Sequence, residues 1–327
     1  MRDIAALPKA HLHVHLESTV RWATLREIAA ANGMAIPDHD GQAAFAGFRQ
    51  FADHNALVRN CLRRQEDFTR IALEFCEDEA AAGTRYTEVT FTAASHGERL
   101  GEPDMPLRAV LEGLAAGQET YGVECRVLLD HSRRRPVARM RRTVELATRY
   151  APDGVIGVGL AGEESYPLRP FAAVLDAARD SGLHLVHHAG EACGPDSVRE
   201  AVSVGHAERI GHGIRVLEDD ELVTELRERG IALEVCMSSN VALGFTPAPA
   251  AHPLPRLREA GLAVTVNTDI PAIIDTSLAD EYARIRDTFG YPDEVLAEFA
   301  VATADASFAP EATKARLRAG TAEWLAA

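Results

Sequence analysis

The sequence predicts an α/β protein, a single (β/α)₈ TIM barrel over residues 1–327 with extra helices in the loop after strand 1. Two observations predict it. Short runs rich in Val, Ile and Leu alternate with longer stretches of helical period between residues 11 and 269. Such alternation implies a parallel sheet with helices outside it, and eight repeats fit a closed barrel. The second observation is an absence: no Gly-x-Gly-x-x-Gly follows the first run. That weakens the doubly wound open sheet, the alternative that strand count alone leaves open.

The strand-like runs are residues 11–16, 85–92, 123–130, 154–162, 183–191, 209–213, 232–240 and 263–269. Helical stretches fall at 67–82, 106–121, 137–150, 170–181, 195–204, 219–229 and 254–260. Several carry start and stop signals. Pro195-Asp196-Ser197 opens one helix and Gly205 closes it. Acidic Glu218–Glu221 fills a first turn, and Gly230 ends that helix. Residues 17–66 depart most from a minimal repeat and include a helical stretch at 43–62. Loops after strand C-termini build the active face of a barrel, so this insertion is a candidate lid or pocket wall.

Composition narrows the function classes. Forty-nine acidic residues oppose 34 basic ones, a net charge of -15. A nucleic-acid binder usually shows a basic face, so that class is disfavoured. The arginines at 133–135, 139, 141 and 142 form a local basic cluster that reads as a solvated helix start. No run of 18 apolar residues occurs, so no membrane span is expected. The start lacks the apolar stretch of a signal peptide, and the five cysteines include no Cys-x-x-Cys. Both point to reduced thiols and a cytoplasmic protein. Lysine occurs only at Lys9 and Lys314, whereas histidine occurs 13 times.

The histidines gather at strand ends. In a strand, residues i and i+2 share a face, so His11, His13 and His15 are expected on one side. Two imidazoles from one strand suit a zinc site, although His-x-His alone is weak evidence. The fifth run ends His187-His188-Ala189-Gly190-Glu191, the sixth carries Gly211-His212-Gly213, and the eighth ends Asn267-Thr268-Asp269. A histidine ligand beside a carboxylate that is not a ligand divides labour between holding metal and moving protons. Each fragment is ambiguous alone. Together they converge on the active face of one barrel.

Several further motifs accompany these: His13-Val14-His15-Leu16-Glu17, Leu160-Ala161-Gly162-Glu163-Glu164 and Ser238-Ser239-Asn240. With them the sequence resembles the adenosine deaminase-like family of the amidohydrolase superfamily, from Leu7 to about Tyr282. The resemblance implies that His13, His15, His188 and Asp269 hold one Zn²⁺ per chain. It implies that His212 orients and deprotonates a water, with Asp269 accepting a hydrogen bond from it. Glu191 would protonate the ring nitrogen beside the attacked carbon, for which its pKa must be raised. The Gly162 N–H would hold another ring nitrogen. Glu17 would face a sugar or the base, and Phe48 and Phe51 would cover the base. The partners implied are a small amino-heterocycle and water; a homo-oligomer is left open. Related binuclear hydrolases bridge two metals with a carboxylated lysine on strand 4. No lysine stands there in this chain, which favours one metal.

The chain departs from the family where the ring would be read. Thr268-Asp269-Ile270-Pro271 replaces the usual Thr-Asp-Asp-Pro, whose second Asp meets the purine N7. Burying N7 against Ile270 would cost roughly 1–3 kcal/mol, or ~5- to 150-fold in transition-state binding. Ile274 stands where many members have Phe, and Ser18 follows Glu17 where Gly is usual. These changes spare the metal and proton-transfer groups. They imply deamination with a shifted substrate. Two alternatives stay open, a non-deaminating mononuclear hydrolase and a silent ligand-binding homologue; the second should have lost a ligand, Glu191 or His212. Elsewhere, His11 and His187 read as structural, and His184 and His206 as surface or strand-edge residues. Asp130-His131-Ser132-Arg133 reads as a structural ion pair or as a contact for an acidic substrate group.

Overall fold

The structure, a computed structural model, describes residues 1–36 and 48–327, and for 48–54 the backbone alone. Eight parallel strands follow one another in chain order: β1 (Lys9–His11), β2 (Thr84–Phe91), β3 (Glu124–Ser132), β4 (Val155–Ala161), β5 (His184–Ala189), β6 (Arg209–His212), β7 (Ala232–Val235) and β8 (Val264–Val266). The β8–β1 seam closes just beyond the regular pairing. There Asp269 N–H donates to the His13 carbonyl and His15 N–H to the Asp269 carbonyl, each at 2.9 Å. The fold is the expected (β/α)₈ barrel.

Helices wrap the strands because each presents an apolar stripe. The helix Val137–Arg149 buries Met140, Thr143, Leu146 and Ala147, spaced three or four apart, and leaves its arginines to solvent. Those arginines, and Arg135 just before the helix, meet acids: Arg135 and Arg139 reach Glu98, and Arg142 and Arg149 reach Asp104. Arg134 also reaches Glu163, so much of the basic cluster is paired with surface acids, while Arg133 is buried. Outward-facing Val89, Phe91, Val127, Leu129, Val158 and Leu160 fill the layer between sheet and helices.

The insertion carries extra helices, Trp22–Ala31 and Phe48–Cys61, and residues 43–47 of the expected 43–62 stretch lie outside the described residues. Three segments differ from the sequence reading. The run 232–240 divides, because β7 ends at Val235 and Met237–Ala242 is helical. Three helices follow β8, Leu278–Phe289, Asp293–Ala306 and Glu311–Ala326. Ala304 and Leu317 of the last two pack with Ala10, Leu12 and Tyr86 and close the bottom of the barrel. Lastly, β1 covers residues 9–11, not 11–16, and its alternation breaks at the next residue. Leu12 N–H and His13 N–H both donate to Asn267 Oδ1, at 2.8 and 3.1 Å. Two successive amides on one acceptor make a bulge-like step that shifts the face presented. His11 therefore aims at Glu79 on the outer helix Gln65–Ala81, while His13 and His15 aim inward.

The lower lumen holds buried charges that pair with one another. Arg209 on β6 contacts Glu88 Oε2 at 2.5 Å and Glu234 Oε1 at 2.6 Å, and stacks on Phe308. Glu88 also accepts from Tyr86 OH and Phe308 N–H. Arg209→Met is expected to destabilise the fold by about 3–5 kcal/mol, because it strands two buried carboxylates. Urea denaturation of the variant checks this. Among the described residues, no helix is long and apolar enough to cross a membrane.

Candidate active site

The upper lumen brings four of the expected residues together. One ligand atom each from His13, His15, His188 and Asp269 lies within 4.8 Å of all the others. His15 Nε2 and His188 Nε2 face each other at 3.1 Å. Asp269 Oδ1 lies 3.3 Å from His15 Nε2 and 3.5 Å from His13 Nε2. The geometry follows from the loops. His13 and His15 lie just past the β1 step, His188 is on β5, and Asp269 follows β8. Gly211 makes room for this packing, since a Cβ there would stand 2.8 Å from His13 Cε1.

These residues fit a zinc ion. His13 Nδ1 contacts Glu234 Oε2 at 2.9 Å, which makes Nδ1 the donor and leaves the Nε2 lone pair aimed at the cluster. That Nε2 is buried and has no hydrogen-bond partner. Three imidazoles and one carboxylate around a common point, with nitrogen atoms otherwise opposed, are a donor set suited to zinc. Glu234 thus orients His13, and Arg209 anchors Glu234 from below. Neither was singled out from the sequence.

A second group adjoins the first through Asp269: Glu191, His212 and Asp269 also bring ligand atoms within 4.8 Å of one another. His212 Nδ1 lies 3.4 Å from Glu191 Oε1. His212 and Asp269 hold φ of +67° and +64°, uncommon for residues with a Cβ. Such strain clusters at functional sites. Burial pushes the Glu191 carboxyl well above the usual range, helped by the negative charges of Asp269 and Glu164. Burial also favours protonated Asp269, but contacts with His13, His212 and His15 override it and keep that carboxyl ionised.

The loop carrying Glu191 is held from beneath. The Glu164 carboxylate accepts the backbone N–H groups of Gly190, Glu191, Ala192 and Cys193. Ser239 Oγ donates to Asp269 Oδ2 at 2.5 Å. Ser238, Ser239 and Asn240 act from the short helix Met237–Ala242, not from a strand as the sequence suggested.

The residues expected to read the ring are less uniformly placed. Gly162 follows β4 with φ +88°, and a Cβ would meet Ser132 Oγ at 3.0 Å, so glycine suits that turn. Ile270 is fully buried in an apolar cluster with Leu243 and Ile273, flanked by Phe245 and Ile274. Glu17 is buried, and its Oε1 accepts from Thr92 N–H and sits 3.1 Å from His96 Nε2, so this oxygen is committed to the scaffold. The side chains of Phe48 and Phe51 lie outside the described residues. Among the described residues Arg133 forms no carboxylate pair; its guanidinium donates to the carbonyls of Glu164, Tyr166 and His188. His187 bridges Leu160 N–H and the Gly205 carbonyl, as its structural reading expected.

The sequence pattern of the family described as adenosine deaminase matches residues 8–324. The chain belongs to the adenosine deaminase family. The match runs beyond the Tyr282 limit read from motifs and takes in the C-terminal helices. An adenine deaminase of Agrobacterium fabrum is 36% identical over 317 residues, covering 96% of this chain and 97% of that one. The crystal structure of adenine deaminase from Arthrobacter aurescens superposes with a TM-score of 0.92 at 29% identity, covering 98% and 99% of the two chains. An amidohydrolase from Burkhoderia ambifaria, with bound Zn, gives 0.90 at 26% identity over 99% and 92%. This is a family of hydrolytic deaminases, and the chain is a hydrolase acting on a C–N bond that is not a peptide bond.

Proposed function

We propose that the chain, as a single barrel domain, is a mononuclear zinc deaminase that releases ammonia from an adenine-like amino-heterocycle. The observation carrying this reading is that the four-ligand cluster and the Glu191–His212 pair share Asp269. The Zn in the Burkhoderia ambifaria relative and the adenine deaminases among the relatives support it.

The overall change is R–NH₂ + H₂O → R–OH + NH₃, the hydroxyl product passing to its keto form as its proton moves to the neighbouring ring nitrogen. His13, His15, His188 and Asp269 would hold the metal, which when bound lowers the pKa of a water toward neutrality. Asp269 would accept a hydrogen bond from the attacking water, fix its direction and take the proton the water gives up. That proton passes to the departing amine as ammonia forms; the remaining hydroxyl proton restores the Glu191 acid as the carbonyl forms. His212 Nδ1 is 3.2 Å from the Asn240 amide nitrogen and accepts from it, so the neutral ring carries its proton on the other nitrogen. That tautomer suits His212 to orienting and stabilising the attacking oxygen, more than to the base role inferred from the family. Glu191 donates a proton to the ring nitrogen beside the attacked carbon. This removes aromatic stabilisation and makes the carbon electrophilic. The Gly162 N–H would hold a second ring nitrogen.

The substrate preference follows from Ile270. Ile270 packs into an apolar cluster where the resemblance would place a carboxylate, so it offers no partner to a ring nitrogen, and a heterocycle presenting carbon there is favoured. Ammonia release should be measured with zinc-loaded protein on adenine, adenosine, aminopyrimidines and aminopterins. Ile270→Asp is expected to shift kcat/KM toward purines by ~5- to 150-fold. Full adenosine turnover by the unaltered chain, with no gain in Ile270→Asp, would defeat the shifted preference and leave deamination standing.

A further inference from the structure

Asn240 is fully buried and faces both groups of the proton-transfer pair. Its Nδ2 donates to Glu191 Oε1 at 3.0 Å and contacts His212 Nδ1 at 3.2 Å. An amide can present either nitrogen or oxygen in the same space. Turned over, Asn240 would set its oxygen against the Glu191 carboxyl and the His212 lone pair. Something must choose the orientation.

His252 makes that choice. It is buried, twelve residues away, beyond the helix that carries Asn240. Leu254 N–H donates to His252 Nδ1 at 3.1 Å, so Nδ1 is an acceptor. A neutral ring then carries its proton on Nε2, which lies 3.2 Å from Asn240 Oδ1. Burial pushes the His252 pKa down to about 4, so the ring is neutral at ordinary pH. The sequence of bonds therefore has one direction: Leu254 N–H to His252, His252 Nε2–H to Asn240 Oδ1, and Asn240 Nδ2–H to Glu191 and His212.

We propose that His252 is a positioning residue for the deamination, acting through Asn240 to hold Glu191 and His212 in their working arrangement. It reaches neither the metal-ligand cluster nor the attack position. This proposal rests on Glu191 being the proton donor.

The test is a double-mutant cycle in the zinc-loaded full chain, using whichever of adenine, adenosine or the aminopyrimidines the unaltered protein turns over fastest. His252→Leu is expected to lower kcat by about 10-fold with KM changed by less than about 2-fold, since misplacing a reacting group affects the chemical step. His252→Gln, which can offer both an amide N–H and an acceptor oxygen, should recover most of that loss. Asn240→Ala should lower kcat further, and adding His252→Leu to it should cost nothing more, because residues of one network are not additive. Multiplying losses, a loss confined to KM, or full kcat in His252→Leu would overturn the relay. Thermal melts and zinc content separate these outcomes from misfolding. A ¹⁵N spectrum of the histidine rings supplies a readout independent of turnover: an Nε2–H tautomer for His252 is expected, and an Nδ1–H tautomer overturns the proposal. Glu191→Gln is run alongside. If Glu191→Gln is inactive while His252→Leu is unimpaired, only the relay fails; if Glu191→Gln keeps full kcat, the acid assignment fails and the relay with it.

Discussion

Glu191→Gln is expected to lower kcat by roughly 10²- to 10⁴-fold, the range supplied by a positioned general acid. The substitution keeps size and an oxygen that can accept from Asn240, 3.0 Å away in the parent. It removes the transferable proton. KM should change far less, because the side chain's shape and packing are retained. The pH profile gives a sharper signature. Burial, with Asp269 and Glu164 nearby, raises the Glu191 pKa well above the ordinary carboxylate value. The active form is the protonated one, so activity is full below that raised pKa and is lost as pH rises through it. The alkaline limb of log kcat against pH should be present in the parent and flattened in Glu191→Gln. Melting curves verify that the variant is folded.

Metal removal has the second large effect. Chelation, or His188→Ala, is expected to reduce activity by about 10³-fold or more, since Lewis-acid assistance is worth several kcal/mol. Adding zinc to the chelated parent should restore turnover; adding it to His188→Ala should not. Zinc should also raise the melting temperature of the metal-free parent, because a ligand that binds only the folded state stabilises it by mass action. Glu234→Gln should act more mildly. Glu234 touches His13 from behind, and losing such support typically weakens metal affinity by about 10- to 100-fold. Zinc titration with a competing chelator measures that step.

The barrel was legible because strand and helix periods alternate, and that pattern depends on local burial alone. The residues that gather in the candidate site were legible because His, Glu and Asp sit at strand ends, where few other roles need them; which of them would hold a metal came from the resemblance. What escaped was whatever depends on partners far apart in the chain. The step at Leu12–His13 needs Asn267, more than 250 residues away, to supply one oxygen to two amides. Without it, strict alternation put His11 on the wrong face. Glu234 and Arg209 sit in strands where polar residues break the apolar pattern. Their meaning appears only when β2, β6 and β7 close around them. The same holds for Asn240 and His252, on an irregular stretch first read in part as strand. Glu17 was assigned to substrate by resemblance, yet one of its oxygens is engaged by Thr92 and His96, contacts that only the folded loop creates.

The central claim is that one zinc and one protonated glutamate in this barrel release ammonia from an amino-heterocycle. It is tested most directly by ammonia production from adenine and the other amines by protein carrying one zinc per chain, set beside Glu191→Gln at equal zinc content. The account expects ammonia from at least one substrate in the parent, and a loss of roughly 10²-fold or more in the variant. Zinc-loaded parent that releases no ammonia from any of them, or a Glu191→Gln protein as fast as the parent, would contradict it.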